Sequence, residues 1–169
     1  MKTAKNFKGY TLIELLVGLS IIAIIFSVGL AGYREFSRRQ ALTGVSKQLK
    51  ADLRLAQQLA LTGQKPEDVS CNTLDGYIFS RVSASSYRLL ADCAGIATPY
   101  VYKEVDLGTD ITLTSTNTNF TFKVLGQGTD LTAINTITLT HTSGNQNSMV
   151  IGIGGDVRWT KSQMLNLKC

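Results

Sequence analysis

Residues 8–33 read KGYTLIELLVGLSIIAIIFSVGLAGY. From Leu12 to Leu30 the only ionisable side chain is Glu14, and nineteen residues at about 1.5 Å each roughly match the hydrocarbon core of a bilayer. The stretch therefore reads as a membrane-spanning helix. A cleaved secretory signal is the nearest rival, because a short basic start followed by apolar residues is common to both. Three features oppose it: the apolar run is long for a signal, no A-x-A-like site precedes Arg34, and helical spacing continues beyond. Lys2, Lys5 and Lys8 favour a cytoplasmic N-terminus, but Arg34, Arg38 and Arg39 place an equal count on the other side, so charge alone leaves the orientation open.

The helical period persists after Tyr33. Leu42, Val45, Leu49, Leu53, Ala56 and Ala60 follow steps of three and four and share a face, while Lys47, Lys50, Arg54, Gln57 and Gln58 fall mostly on the other. The helix is expected from about Thr11 to Thr62, ending at Gly63 as its C-terminal cap with Pro66 just beyond. A helix of that length reaches roughly 78 Å, more than a small domain can cover. Its first half needs lipid or neighbouring helices; its second half turns its apolar face to the rest of the chain. Gly18, Gly29 and Gly32 weaken the first half by about 1 kcal/mol each relative to alanine, which close helix packing or local melting would explain.

Past Gly63 the period becomes two. GYIFSRVS (76–83) and SYRLLADC (86–93) read as strands joined at 84–86, and YVYKEVDL (100–107) follows the Pro99 turn. DITLTSTNTNFTFKVLG (110–126) and INTITLTHTSG (134–144) alternate apolar residues with threonine, a natural outward face for strands, and SMVIGIGGDVRWT (148–160) supplies a last strand or pair. Five to seven short antiparallel strands packed on an amphipathic helix make an α+β head. With 44% apolar residues and two prolines, the composition is that of a folded protein.

The net charge of +5 is weak evidence for nucleic acid: without residues 1–9 there remain fourteen basic and twelve acidic residues, a balance of +2. The three cysteines, Cys71, Cys93 and Cys169, all follow the apolar segment. If that segment spans a bacterial inner membrane they lie outside the cytoplasm, where oxidation is favoured. Three pairings are open. Cys71 and Cys93 flank a hairpin and are the first choice, with Cys169 left over; reduced, partly buried thiols are the alternative.

Gly9 followed by Tyr-Thr-Leu-Ile-Glu-Leu-Leu-Val closely resembles the class III signal of type IV pilins and type II secretion pseudopilins, over residues 5–33. Tyr10 departs mildly from the Phe or Met more common in that family. The resemblance implies a prepilin peptidase as a partner, cutting after Gly9 and methylating the new amine of Tyr10. It also makes Glu14 the glutamate at the fifth mature position, which pairs with the terminal amine of a neighbouring pilin or pseudopilin subunit. A carboxylate in a membrane helix costs up to a few kcal/mol and is kept where it finds a partner or a job. Cutting after Gly9 would create that partner. The simpler alternative is an interfacial acid reaching towards water. The family's mid-membrane proline is absent here.

LKADLRLAQQLALTGQ (49–64), a cysteine, DGYIF (75–79) and GIGGDVRW (152–159) further resemble the branch containing pseudopilin H and minor pilin T. That favours a minor subunit over a major pilin. Within that branch some minor pilins capture DNA through arginines near the C-terminus, which makes Arg158, Trp159 and Lys161 candidate DNA contacts, with Lys168 beyond. The pattern departs from theirs, because Asp156 follows Gly155 and Arg158 has no second arginine two residues on.

No catalytic constellation is legible. His141, the only histidine, shares a strand face with Ile137 and Leu139, and the serines at 83–86 lack a nucleophile elbow. Asp106 and Asp110 are too few for a carboxylate cage, and GIGGD matches neither a phosphate loop nor a dinucleotide fingerprint and fits a turn instead. No enzyme, metal or cofactor is expected. The chain is expected to comprise a leader at 1–9, a membrane and assembly helix at 10–33, its amphipathic continuation at 34–63 and a β-rich head at 64–169. The head would lie outside the inner membrane before entering a pilus or pseudopilus fibre. A single-pass membrane protein with a ligand-binding head is the reading from another class.

Overall fold

In a computed structural model the chain is α+β: one long helix precedes eight strands that form two antiparallel four-stranded sheets. The structure describes residues 9–67 and 71–160, apart from the side chains at 28–31. It divides into two compact units, with the boundary between Arg38 and Arg39.

Helix α1 runs from Leu12 to Thr62. Thr11 caps its start, its Oγ1 accepting the Glu14 backbone N–H at 3.3 Å. At the other end Gly63 takes φ +65°, and two bonds close the helix: Gly63 N–H to the Ala60 carbonyl and Gln64 N–H to the Leu59 carbonyl, both 3.1 Å. This is a Schellman stop, and its left-handed residue explains the glycine.

Among the described residues of the first unit the apolar side chains of α1 are exposed. The segment has a mean hydropathy of 2.5 with none of it buried, and Leu12, Phe26 and Ile25 are among the many exposed apolar side chains. It is long and apolar enough to cross a membrane.

In the second unit Leu42, Leu49, Leu53, Ala56 and Ala60 form the buried stripe that the three-and-four spacing marks out, with Val45 half-buried beside them and Leu59 also buried. Strands β1 (Leu74–Arg81), β2 (Ser86–Cys93), β3 (Tyr100–Asp106) and β5 (Asn119–Lys123) form one sheet in the order β3-β2-β1-β5. Strands β4 (Ile111–Ser115), β6 (Asn135–His141), β7 (Gln146–Ile151) and β8 (Val157–Trp159) form the other in the order β4-β6-β7-β8. The inward residues of both sheets share one core with the helix stripe. In the first sheet a row of rings, Tyr87–Phe79–Phe120–Phe122, packs with centroids 5.1–5.6 Å apart, the first two pairs stacked and Phe120–Phe122 edge-to-face.

The sequence stretch 110–126 corrects the expected strand count of five to seven: there are eight strands among the described residues. It holds two strands that belong to different sheets: β4 pairs with β6, and β5 with β1. The crossing at 116–118 is held by the fully buried Asn135, whose Oδ1 accepts from Asn117 N–H at 3.0 Å and Ser115 Oγ at 3.2 Å. The threonines do face outwards. Thr112 and Thr114 on β4 donate to the Thr140 and Thr138 carbonyls of β6, both at 3.3 Å, while Ile111, Leu113, Ile137 and Leu139 are buried.

A disulfide joins Cys71 to Cys93 (S–S 2.04 Å), tying the chain entering β1 to the end of β2. His141 is buried, its Nδ1 accepting the Ser143 N–H at 3.0 Å, so it fastens the β6–β7 turn. The GIGGD run is the β7–β8 turn. Gly152 N–H donates to the Asp156 carbonyl at 3.0 Å, and Gly155 takes φ +86°.

Candidate functional site

The N-terminal candidate residues lie where the irregular backbone becomes helix. Gly9 and Tyr10 precede α1, and a side-chain carbon at Gly9 would meet nothing within 4 Å. Tyr10 is 79% exposed and Gly9 is exposed beside it, so the Gly9–Tyr10 peptide bond lies open among the described residues. Thr11 and Glu14 follow as the cap and the third helical residue, a Thr-x-x-Glu pattern that sequence reading overlooked as a capping signal. Glu14 is exposed in the first turn, where the helix dipole favours a negative charge. Lys2, Lys5 and Lys8 lie outside the described residues.

Residues 4–30 match the prokaryotic N-terminal methylation motif. No curated protein and no solved structure matches the chain. The motif covers the open peptide bond, the capped first turn carrying Glu14 and nearly all of the exposed apolar helix, and it supports a type IV pilin-like prepilin signal there. Such a signal implies processing by prepilin peptidase and assembly with other pilin subunits. The motif suggests a prepilin-type protein for pilus or pseudopilus assembly.

The second candidate set lies on β8. Gln57 of α1 approaches Gly155, and Lys50 of α1 covers the Trp159 ring with its Nζ 4.9 Å from the centroid, so β8 runs antiparallel alongside the helix. Between them is an open groove of about 580 Å³ lined by Lys47, Lys50, Arg54 and Gln58, with Ala51 and Trp159. Burial holds the Lys50 ammonium below its ordinary pKa, and the nearby Arg54 charge adds to that. Of the three residues singled out for DNA, the structure places Trp159 in this groove and pairs Arg158 with Asp156 at 2.6 Å; Lys161 lies outside the described residues.

Sequence reading placed Lys47, Lys50 and Arg54 mostly on the helix face opposite the apolar stripe and assigned them no role. The missing signal is long-range, since nothing near position 50 announces that Trp159 will fold beside it.

Proposed function

We propose that the chain is a prepilin that is cut after Gly9, N-methylated on Tyr10 and built as a minor subunit into a type IV pilus or a type II secretion pseudopilus. The observation that carries this reading is the methylation motif at residues 4–30, lying on an open Gly9–Tyr10 bond and an exposed apolar helix. In this reading residues 1–9 are the leader, 10–33 the membrane and assembly helix, 34–63 its amphipathic continuation and 64–169 the head. The protein is held in the bacterial inner membrane with its head outside the cytoplasm until the helix moves from lipid into a bundle of like helices.

Glu14 is the assembly residue. Cleavage frees a cationic amine on Tyr10, one residue ahead of the helix cap, and the Glu14 carboxylate of a neighbouring subunit neutralises it as both leave the water interface. That pairing sets the axial register between subunits. The finer assignment to the pseudopilin H and minor pilin T branch rests on the passages at 49–64, 75–79 and 152–159.

The test is the mass and sequence of the N-terminal peptide of the protein extracted from its own membranes, with and without the peptidase. A peptide starting at N-methyl-Tyr10 only when the peptidase is present supports the reading, and an intact Met1 in both removes it. DNA capture is the weaker reading, because the Arg158 guanidinium already has the Asp156 carboxylate against it.

A further inference from the structure

The groove beside β8 combines two unsatisfied features that call for one ligand. The first is backbone. Thr160 N–H donates to the Ser148 carbonyl and Gly152 N–H to the Asp156 carbonyl, so alternate residues of β8 bond to β7. With Arg158 opposite Val150, the N–H and C=O groups of Val157 and Trp159 point away from β7. β8 is the last strand of its sheet, and no hydrogen bond reaches those groups among the described residues. It is an open edge that can accept another strand.

The second feature is charge. A strand added to β8 would extend the sheet over the outward stripe of α1, where Lys47, Lys50 and Arg54 lie within two turns. Among the described residues none of these three makes an ion pair. Asp156, the acid next to β8, is already held by Arg158. Lys50 is half-buried and crowded by Arg54, an arrangement that an added anion would relieve. Ala51 and Leu55 line the groove between these cations and Trp159.

We propose that this groove is a docking site for an extended acidic peptide segment of a partner protein, which pairs with the open edge of β8 and sets alternate carboxylates against Lys47, Lys50 and Arg54. Main-chain bonds to Val157 and Trp159 supply the pairing, and the charges select the sequence. The residues that follow β8 in this chain, KSQMLNLKC (161–169), carry two lysines and no acidic side chain, so their composition does not match the groove. The site lies wholly within residues 39–169 and stands whether or not the fibre reading does.

Trp159 is the only tryptophan, so its fluorescence reports on the groove directly. The full-length protein in detergent is titrated with a short peptide alternating glutamate and valine, with a lysine–valine peptide and a single-stranded oligonucleotide as comparisons. The expected result is a saturable change with the acidic peptide alone, weakened about tenfold or more in the Lys47→Glu/Arg54→Glu protein. Slowed amide exchange at Val157 and Trp159 should accompany it. Both substituted residues are exposed, and an unchanged melting temperature would show the variant folded. The proposal is overturned by no saturable response, by equal affinity of the charge-reversed protein, or by binding without slowed exchange at those two amides. Equal binding of the oligonucleotide would overturn it too, because the groove would then read charge and not a strand.

Discussion

Asp52 on α1 accepts a hydrogen bond from Tyr87 Oη at 2.7 Å and one from Lys103 Nζ at 2.6 Å, so a single carboxylate ties the helix to both β2 and β3. Asp52 is 5% exposed, whereas the Lys103 side chain keeps 37% of its exposure, which places the Lys103 bond at the rim and the Tyr87 bond inside. Removing the hydroxyl with Tyr87→Phe should cost about 1.5–3 kcal/mol, the range for a hydrogen bond to a charged group. Asp52→Ala should cost about 3 kcal/mol, because it strips both partners. Denaturant unfolding of the full-length protein measures both, and an Asp52→Ala protein as stable as wild type would show that the helix is held by its apolar stripe alone.

The same contact sets a pH dependence. Burial, the Asp52 hydrogen bond and the Asp52 charge together push the Tyr87 phenol well above its ordinary 10.0. A raised folded-state value means the folded protein holds the proton more tightly. Its contribution is complete below pH 10 and is lost as pH climbs above the unfolded value. The stability gap between wild type and Tyr87→Phe should therefore be constant near neutrality and shrink above about pH 10. A gap that stays constant to higher pH would rule out Tyr87 as the source.

Cys71 and Cys93 are 22 residues apart, and their bond restrains the unfolded chain across the first hairpin. A Cys71→Ser/Cys93→Ser protein should lose about 2–4 kcal/mol. A disulfide there also agrees with a head that matures in an oxidising compartment. Thermal unfolding with and without reductant provides the check: reductant should lower the melting temperature of wild type and leave the double variant where it is.

Gly76 on β1 sits where β5 leaves no room for a side chain. A side-chain carbon there would sit 2.5 Å from the Phe122 carbonyl oxygen and 2.7 Å from Thr121 Cγ2. Gly76→Ala should force β5 away from β1 and cost about 1–3 kcal/mol, the range for overpacking. Amide exchange would reveal it as faster exchange in β5 with β2 and β3 unchanged, and unaltered β5 exchange would show that the strands adjust without strain.

Much of this architecture is legible in the sequence. The apolar run to Leu30, the stripe from Leu42 to Ala60 and the Gly63 stop mark α1, because local periodicity and capping chemistry suffice for a helix. The alternation of Thr with Ile and Leu marks β4 and β6 for the same reason. What escapes is set by contacts distant in sequence. Asp52 stands between Leu49 and Leu53 on the apolar face, a lone acid at a core position, and only the fold brings Tyr87 and Lys103 to it. The sheet change between β4 and β5 depends on Asn135, and the groove at Lys50 depends on Trp159.

Glu14 offers a separate test of assembly. Glu14→Leu keeps the apolar helix and the Thr11 cap but removes the charge, so the protein should still insert in the membrane and still be cut. Its incorporation into fibres, read by immunoblot of sheared fibres, should fall sharply, while Glu14→Asp should restore part of it. Incorporation of the leucine protein at the wild-type level would rule out the proposed pairing role of the carboxylate.

The central claim is that Gly9–Tyr10 is a processing site at the head of an assembly helix. The most direct measurement is mass spectrometry of the N-terminal peptide from protein extracted from native membranes. The account predicts a peptide that begins with Tyr10 and carries one methyl group on its amine. An intact Met1, or a cut near Gly32 beyond the apolar segment, would contradict it and return the chain to an ordinary anchored or secreted protein.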